Sequence, residues 1–164
     1  MKKILFSLIL LSSFVFGAVK DERKVFKVEE VKALNDRINL LKEQTATDFE
    51  VVTLAEENEK VFSGLENATR KVIVVLQKGE ENSIKVKLAF SNDINLTGYE
   101  DKINKKLEEL ERVISPKTFS DYTLELLAET GDVLTSIQLD EKSAAEAKNG
   151  IDKRAVIIFV LKSL

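Results

Sequence analysis

Neither cysteine nor histidine occurs anywhere in the 164 residues. Without cysteine there are no disulfides, no thiolate metal sites and no thiol nucleophiles. Without histidine the commonest general base, the commonest transition-metal ligand and every Ser-His triad are excluded as well. Charge of one sign is also missing: 25 Lys and Arg stand against 28 Asp and Glu, for a net charge of −3. Such interspersed charge leaves no footprint for nucleic acid and no polybasic patch for an anionic membrane. Proline occurs once, as Pro116. There is no internal repeat and no low-complexity tract. Beyond the first residues the longest apolar run, Ala155 to Leu161, is far too short to span a bilayer.

What is present is ordinary for one soluble globular domain: 44% apolar and 32% charged residues, in a chain long enough for a single core. The amino terminus reads as a leader. Lys2 and Lys3 are a basic n-region, Ile4 to Phe16 is an apolar h-region, and the small residues Gly17 and Ala18 follow. Residues 1–18 are therefore expected to be a signal peptide, which places the protein outside the cytoplasm, in the periplasm or extracytoplasmic envelope. The competing reading is an uncleaved anchor, for which the apolar run is short. Residues 19–27 read as a charged lead-in and 28–164 as one α/β domain, with no transmembrane span once the leader is removed.

Periodicity divides that domain. Val28, Val31, Leu34, Ile38 and Leu41 recur every three or four residues, the mark of an amphipathic helix ending near Glu43. Phe49–Leu54 is β-rich, with adjacent Val51 and Val52 suited to a strand covered on both faces. Polar residues from Glu56 to Arg70 provide a crossover to Val72–Leu76, five branched apolar residues in a row and the clearest buried strand. A hairpin around Gly79 leads to Ile84–Leu88, where apolar and polar residues alternate. Thr97-Gly98-Tyr99-Glu100 has capping-box spacing ahead of a helix striped by Ile103, Leu107, Leu110 and Ile114. Pro116 ends that helix. A second helix follows, carrying Leu124, Leu127, Leu134 and Ile137, with Gly131 on the same stripe either as a close-approach point or as a break. Asp140–Lys148 reads as a further minor helix, and Ala155–Leu161 as a final strand. The expected fold is a small mixed β-sheet flanked by helices.

These segments resemble the TPM domain family of bacterial envelope proteins, thylakoid repair proteins and receptor-associated membrane proteins. The resemblance runs from about Val28 to Ile137. It is carried by Leu40-Leu41-Lys42-Glu43-Gln44-Thr45, the strands Phe49–Leu54, Val72–Leu76 and Ile84–Phe90, the Asn92-Asp93 pair before a helix, and the corner Ile114-Ser115-Pro116-Lys117-Thr118-Phe119-Ser120-Asp121-Tyr122. The chain departs from the family in having no glycine after the third strand until Gly98, and in a shortened stretch from Glu56 to Arg70. The resemblance implies an α/β sandwich, divalent-cation binding, and roles in membrane-complex assembly and repair. A phosphatase activity is attributed to one plant member.

Hard oxygen donors cluster in the sequence around the turn after the third strand. Asn92, Asp93, Glu100, Asp101 and, beyond the proline corner, Asp121 form the candidate metal set, with Asn95 nearby. Oxygen donors suit Ca²⁺ or Mg²⁺ rather than zinc. The same residues have structural uses: Asp93 capping a turn, Glu100 completing the capping box, and Asp101 and Asp121 complementing helix dipoles. No catalytic residue stands out. An enzyme built from this composition would be a metal-dependent phosphatase using carboxylates. The competing expectation is an exported accessory domain that binds an envelope or membrane protein through exposed helices or an edge strand at Val156–Val160.

Overall fold

The computed structural model of the chain describes residues 18–78, 84–113, 119–145 and 158–162. In order these form β1 (Val19–Asp21), α1 (Val28–Thr45), β2 (Asp48–Leu54), two short 3₁₀ turns (Glu59–Phe62 and Leu65–Asn67), β3 (Lys71–Lys78), β4 (Ile84–Phe90), α2 (Glu100–Val113), α3 (Phe119–Ala145) and β5 (Ile158–Lys162). The strands make one mixed sheet in the order β1-β2-β3-β4-β5. The pairs β1/β2 and β2/β3 are parallel, whereas β3/β4 and β4/β5 are antiparallel. This is the small α/β fold expected from the periodicity.

Strand alternation sorts the core into two layers. Phe49 and Val51 of β2, Val72, Val74 and Leu76 of β3, and Val86, Leu88 and Phe90 of β4 share a front face with Leu34, Ile38 and Leu41 of α1, Ile103 and Leu107 of α2, and Leu126, Leu127, Leu134 and Ile137 of α3. Val52, Leu54, Ile73, Val75 and Ala89 point the other way. Among the described residues, cover on that rear face comes from the stretch between β2 and β3, through Leu65 with Val61, Phe62 and Ala68. Val51 and Val52 therefore sit in different layers, which is why β2 shows no polar face.

The two parallel crossovers step in the same direction across the sheet. One carries α1 over the front and the other carries the 3₁₀ turns over the rear. They must have opposite hands, so one of them departs from the usual right-handed connection.

Three expectations from the sequence need correction. Val28, placed on the buried stripe of α1, is 86% exposed; the stripe begins with partly buried Val31 and fully buried Leu34. Asp140–Ala145 is not a separate minor helix but the continuation of α3, which also runs unbroken through Gly131. There a methyl group in place of the glycine hydrogen would lie 2.4 Å from Leu41 Cδ2, so Gly131 is the close-approach point between α3 and α1. The charged lead-in contains β1, whose Asp21 carboxylate accepts from the N–H groups of Val25 and Phe26 and from the buried Thr53 hydroxyl. The final strand is found at Ile158–Lys162, at the sheet edge. The Gly79 hairpin turn, Ile114, the Pro116 corner and the leader lie outside the described residues. Among those described, no helix is long and apolar enough to cross a membrane.

Candidate functional site

β4 runs antiparallel to β2 and β3, so the turn after it lies at the amino ends of the parallel strands rather than at their carboxyl ends. Four segments meet there: the end of α1, the residues just before β3, the turn Ser91–Tyr99 and the last turns of α3.

Asp93 is at the centre of the turn. Its Oδ1 and Oδ2 accept from the Arg70 backbone N–H at 3.0 and 2.8 Å, and Oδ1 accepts from the Ser91 hydroxyl at 2.6 Å. Ser91 extends the β3/β4 ladder, its N–H donating to the Lys71 carbonyl and its Oγ accepting from the Lys71 N–H. Asn92 donates from Nδ2 to the Glu66 carbonyl at 3.3 Å, while its Oδ1 is buried with no partner.

The expected capping box takes another form. Helix α2 starts at Glu100, so Thr97 is too far back to cap it. The Glu100 carboxylate accepts from the Gly98 N–H at 2.9 Å, and the Thr97 N–H donates to Asn95 Oδ1 at 3.1 Å. Gly98 has φ +81° inside a turn closed by Tyr99 N–H to the Leu96 carbonyl, a conformation for which glycine is suited. The Tyr99 carbonyl accepts the first helical hydrogen bond, from Ile103.

Asp101 and Asp121 are exposed in the first turns of α2 and α3. Among the described residues, no three or more acidic side chains come together in a way that could hold a metal ion. Ca²⁺ draws on about six to eight oxygens. A cation at Asp93 would have to compete with the Arg70 N–H and the Ser91 hydroxyl.

Beside the turn is an open cleft of ≈ 510 Å³ lined by Glu43, Gln44, Ala46, Arg70, Gln138, Glu141 and Lys142. Arg70 has φ +43°, a left-handed conformation that side-chain-bearing residues adopt at a cost of about 1–2 kcal/mol. Its backbone is fixed on both sides, the N–H by Asp93 and the carbonyl by the Asp48 N–H at 2.8 Å. From that position its guanidinium reaches α3, where Nη1 donates to Glu141 Oε2 at 3.2 Å. Nε and Nη2 are buried without an acceptor. Each such unmade hydrogen bond costs roughly 1–3 kcal/mol.

Neighbouring groups close the same end of α3. The Tyr99 hydroxyl donates to Asp140 Oδ2, which holds the phenol above its ordinary pKa, with desolvation and the charges of Asp140 and Glu141 adding to the effect. The Lys102 ammonium lies 5.8 Å from the Tyr99 ring centre. Gln138 Nε2 donates to the Thr45 carbonyl, tying α3 to the end of α1.

Two polar clusters on the rear face were not anticipated. Lys87, opposite Val75 and only 7% exposed, pairs with Glu57 and Glu59 of the crossover. Burial pushes its ammonium down, but the hydrogen bonds and charges of the two carboxylates outweigh this and raise it. Glu50 bridges three strands, its oxygens 2.5 Å from Lys20 Nζ and 2.8 Å from Lys71 Nζ. The alternation Ile84-Lys85-Val86-Lys87-Leu88 gave Lys87 a rear-facing direction, but nothing in the sequence showed that the crossover would bury it. Arg70 gave even less signal, because its importance lies in a backbone angle.

No protein-family model matches the chain, and no curated protein matches it. Among solved structures the chain is similar to the N-terminal domain of a protein from P. gingivalis, determined in solution by NMR. The identity is 16%, the TM-score is 0.41, and the match covers 79% of this chain and 84% of that one.

Proposed function

We propose that the chain is an exported accessory domain of the cell envelope, of TPM type, which acts by binding a membrane or envelope protein rather than by turning over a substrate. The observation that carries this reading is the use made of Asp93. It is the acid on which a carboxylate-based hydrolytic site would centre, and both its oxygens are engaged in joining the start of β3 to the end of β4. An ionised carboxylate offers about four acceptor sites, and Asp93 spends three of them on the Arg70 N–H and the Ser91 hydroxyl, leaving about one for a proton or an ion. Glu100 gives one of its oxygens, Oε2, to the Gly98 N–H at the start of α2. The turn is built as a brace, and a braced α/β scaffold with an edge strand at β5 suits recognition. Exports of this kind work where the apolar leader at residues 4–16 would deliver them.

The test compares wild type with Asp93→Ala on a generic phosphomonoester, with Ca²⁺ or Mg²⁺ at millimolar concentration, alongside site-specific crosslinking in envelopes from positions on β5. The expected result is no turnover above buffer in either protein and one defined crosslinked partner. Metal-dependent turnover that disappears in Asp93→Ala would overturn the reading in favour of a phosphatase.

A further inference from the structure

We infer that residues 55–63 form a flap on the rear of the sheet, latched by Lys87 and able to lift while the residues after them stay in place. The two halves of the stretch between β2 and β3 are fastened very differently. In the second half Leu65 is fully buried and the Glu66 carbonyl accepts from Asn92. Arg70 closes that half, tied through its N–H to Asp93 and through its carbonyl to the Asp48 N–H. The first half is closed on itself, with the Val61 N–H donating to the Asn58 carbonyl and the Ser63 N–H to the Lys60 carbonyl. Among the described residues, the polar contacts that join residues 55–63 to other elements are those of Glu57 and Glu59 with the Lys87 ammonium. Val61 and Phe62 add apolar contact but are only partly buried. Gly64 stands between the halves at φ +81°, and a Cβ there would meet no atom within 4 Å. It is a pivot with nothing packed where a side chain would be.

The latch is sensitive to the ions around it. Lys87 is buried, whereas the side chains of Glu57 and Glu59 that hold it are 52% and 68% exposed. A buried ammonium stripped of its partners is costly, so the pairs are kept for as long as the flap is down. Their carboxylate side faces water, where added salt screens them. When the flap lifts, the four-carbon stem of Lys87 carries the ammonium out to solvent, and no charge is left buried in the open form. Opening uncovers the apolar rear layer beside Lys87, with Val75 opposite it on β3. This device lies in the crossover itself and does not depend on how the domain is used in the envelope.

The chain has no cysteine, so one introduced thiol reports on one position. Val75→Cys places a thiol in the rear layer, and Val74→Cys places one in the front layer, behind the helices. Both variants of the full chain are labelled with uncharged iodoacetamide at about 0.1 M and about 1 M NaCl, between which the screening length falls from about 10 Å to about 3 Å. The Val75→Cys thiol is expected to react at least about threefold faster in the higher salt, with the Val74→Cys thiol unchanged. Adding Glu57→Gln and Glu59→Gln, both on exposed side chains, is expected to give the fast Val75→Cys rate at either salt. A salt-independent Val75→Cys rate, a parallel rise at Val74→Cys, or a rate still slow after the two Glu→Gln changes would each overturn the proposal. Should Val75→Cys lose its fold by circular dichroism, hydrogen exchange in the unaltered chain decides instead. There the Val61 and Ser63 amides are expected to quicken with salt relative to those of Asn67 and Ala68, and a constant ratio would overturn the flap.

Discussion

Asp93 holds Arg70 by the backbone, with both carboxylate oxygens within 3.0 Å of the Arg70 N–H. The contact spans 23 residues of sequence and fastens the entry of β3 to the exit of β4. Removing the carboxylate leaves the Arg70 N–H and the Ser91 hydroxyl without their acceptor. Asp93→Ala is expected to lower unfolding free energy by about 1–3 kcal/mol, as measured by urea denaturation. A change within 0.5 kcal/mol or so of wild type would mean that water replaces the carboxylate at no cost. Millimolar Ca²⁺ is expected to leave the wild-type midpoint unmoved, because Asp93 has about one lone pair to spare and Ca²⁺ draws on about six to eight oxygens.

Gly131 is set against Leu41, which is only 2% exposed and so has little freedom to move aside. Gly131→Ala gains roughly 1 kcal/mol of helix propensity. Overpacking α3 against α1 costs typically 1–3 kcal/mol. At 2.4 Å the clash is severe, and the net expectation is destabilisation by about 1–2 kcal/mol, read as a lower thermal midpoint. Pairing it with Leu41→Ala is expected to recover part of the Gly131→Ala loss, since the double variant removes the clashing methyl.

Glu50 sets an acid limit on the edge of the sheet. Burial pushes its carboxyl up, yet the hydrogen bonds and charges of Lys20 and Lys71 outweigh this and hold it below the ordinary value of 4.5. A carboxyl whose folded pKa is depressed contributes stability that is complete above its unfolded value and is lost as pH falls through its folded one. Wild type is therefore expected to lose stability below about pH 4.5 more steeply than Glu50→Gln, with the two curves converging in strong acid. Urea midpoints across pH 7 to 3 check this. Parallel curves would show that the Lys20–Glu50–Lys71 bridge contributes nothing.

How much of this was legible in the sequence depended on the length scale of the signal. Val72–Leu76 and the alternation from Ile84 to Leu88 placed the sheet's centre, because burial on two faces or one leaves an unmistakable pattern over five residues. The helix stripes were equally plain, save at Val28, where the spacing continues past the point at which the helix leaves the core. β1 was missed: three residues with a central lysine carry no periodicity, and its place in the sheet comes from Val19 and Lys20 pairing with Val51 and Val52. Asn92, Asp93 and Glu100 stand close together in sequence, but their hydrogen-bond partners include Glu66, Arg70 and Gly98, and two of these come from another loop. Asp101 and Asp121 each stand in the first turn of a helix. Spacing along the chain cannot show which backbone donors a folded carboxylate will meet, and at Asp93 those are the Arg70 N–H and, from a side chain, the Ser91 hydroxyl.

Among the described residues, the two faces of the sheet are covered very unequally. Three helices insulate the front, whereas behind it the chain from Ala55 to Thr69 has a few apolar anchors and the Lys87 ammonium gripped by Glu57 and Glu59. Amides in that rear strap are expected to exchange through local openings, sooner than those of α1 and α3. Protection of the Val75 amide is therefore expected to depend on the Lys87–Glu57–Glu59 cluster, whose ion pairs added salt weakens.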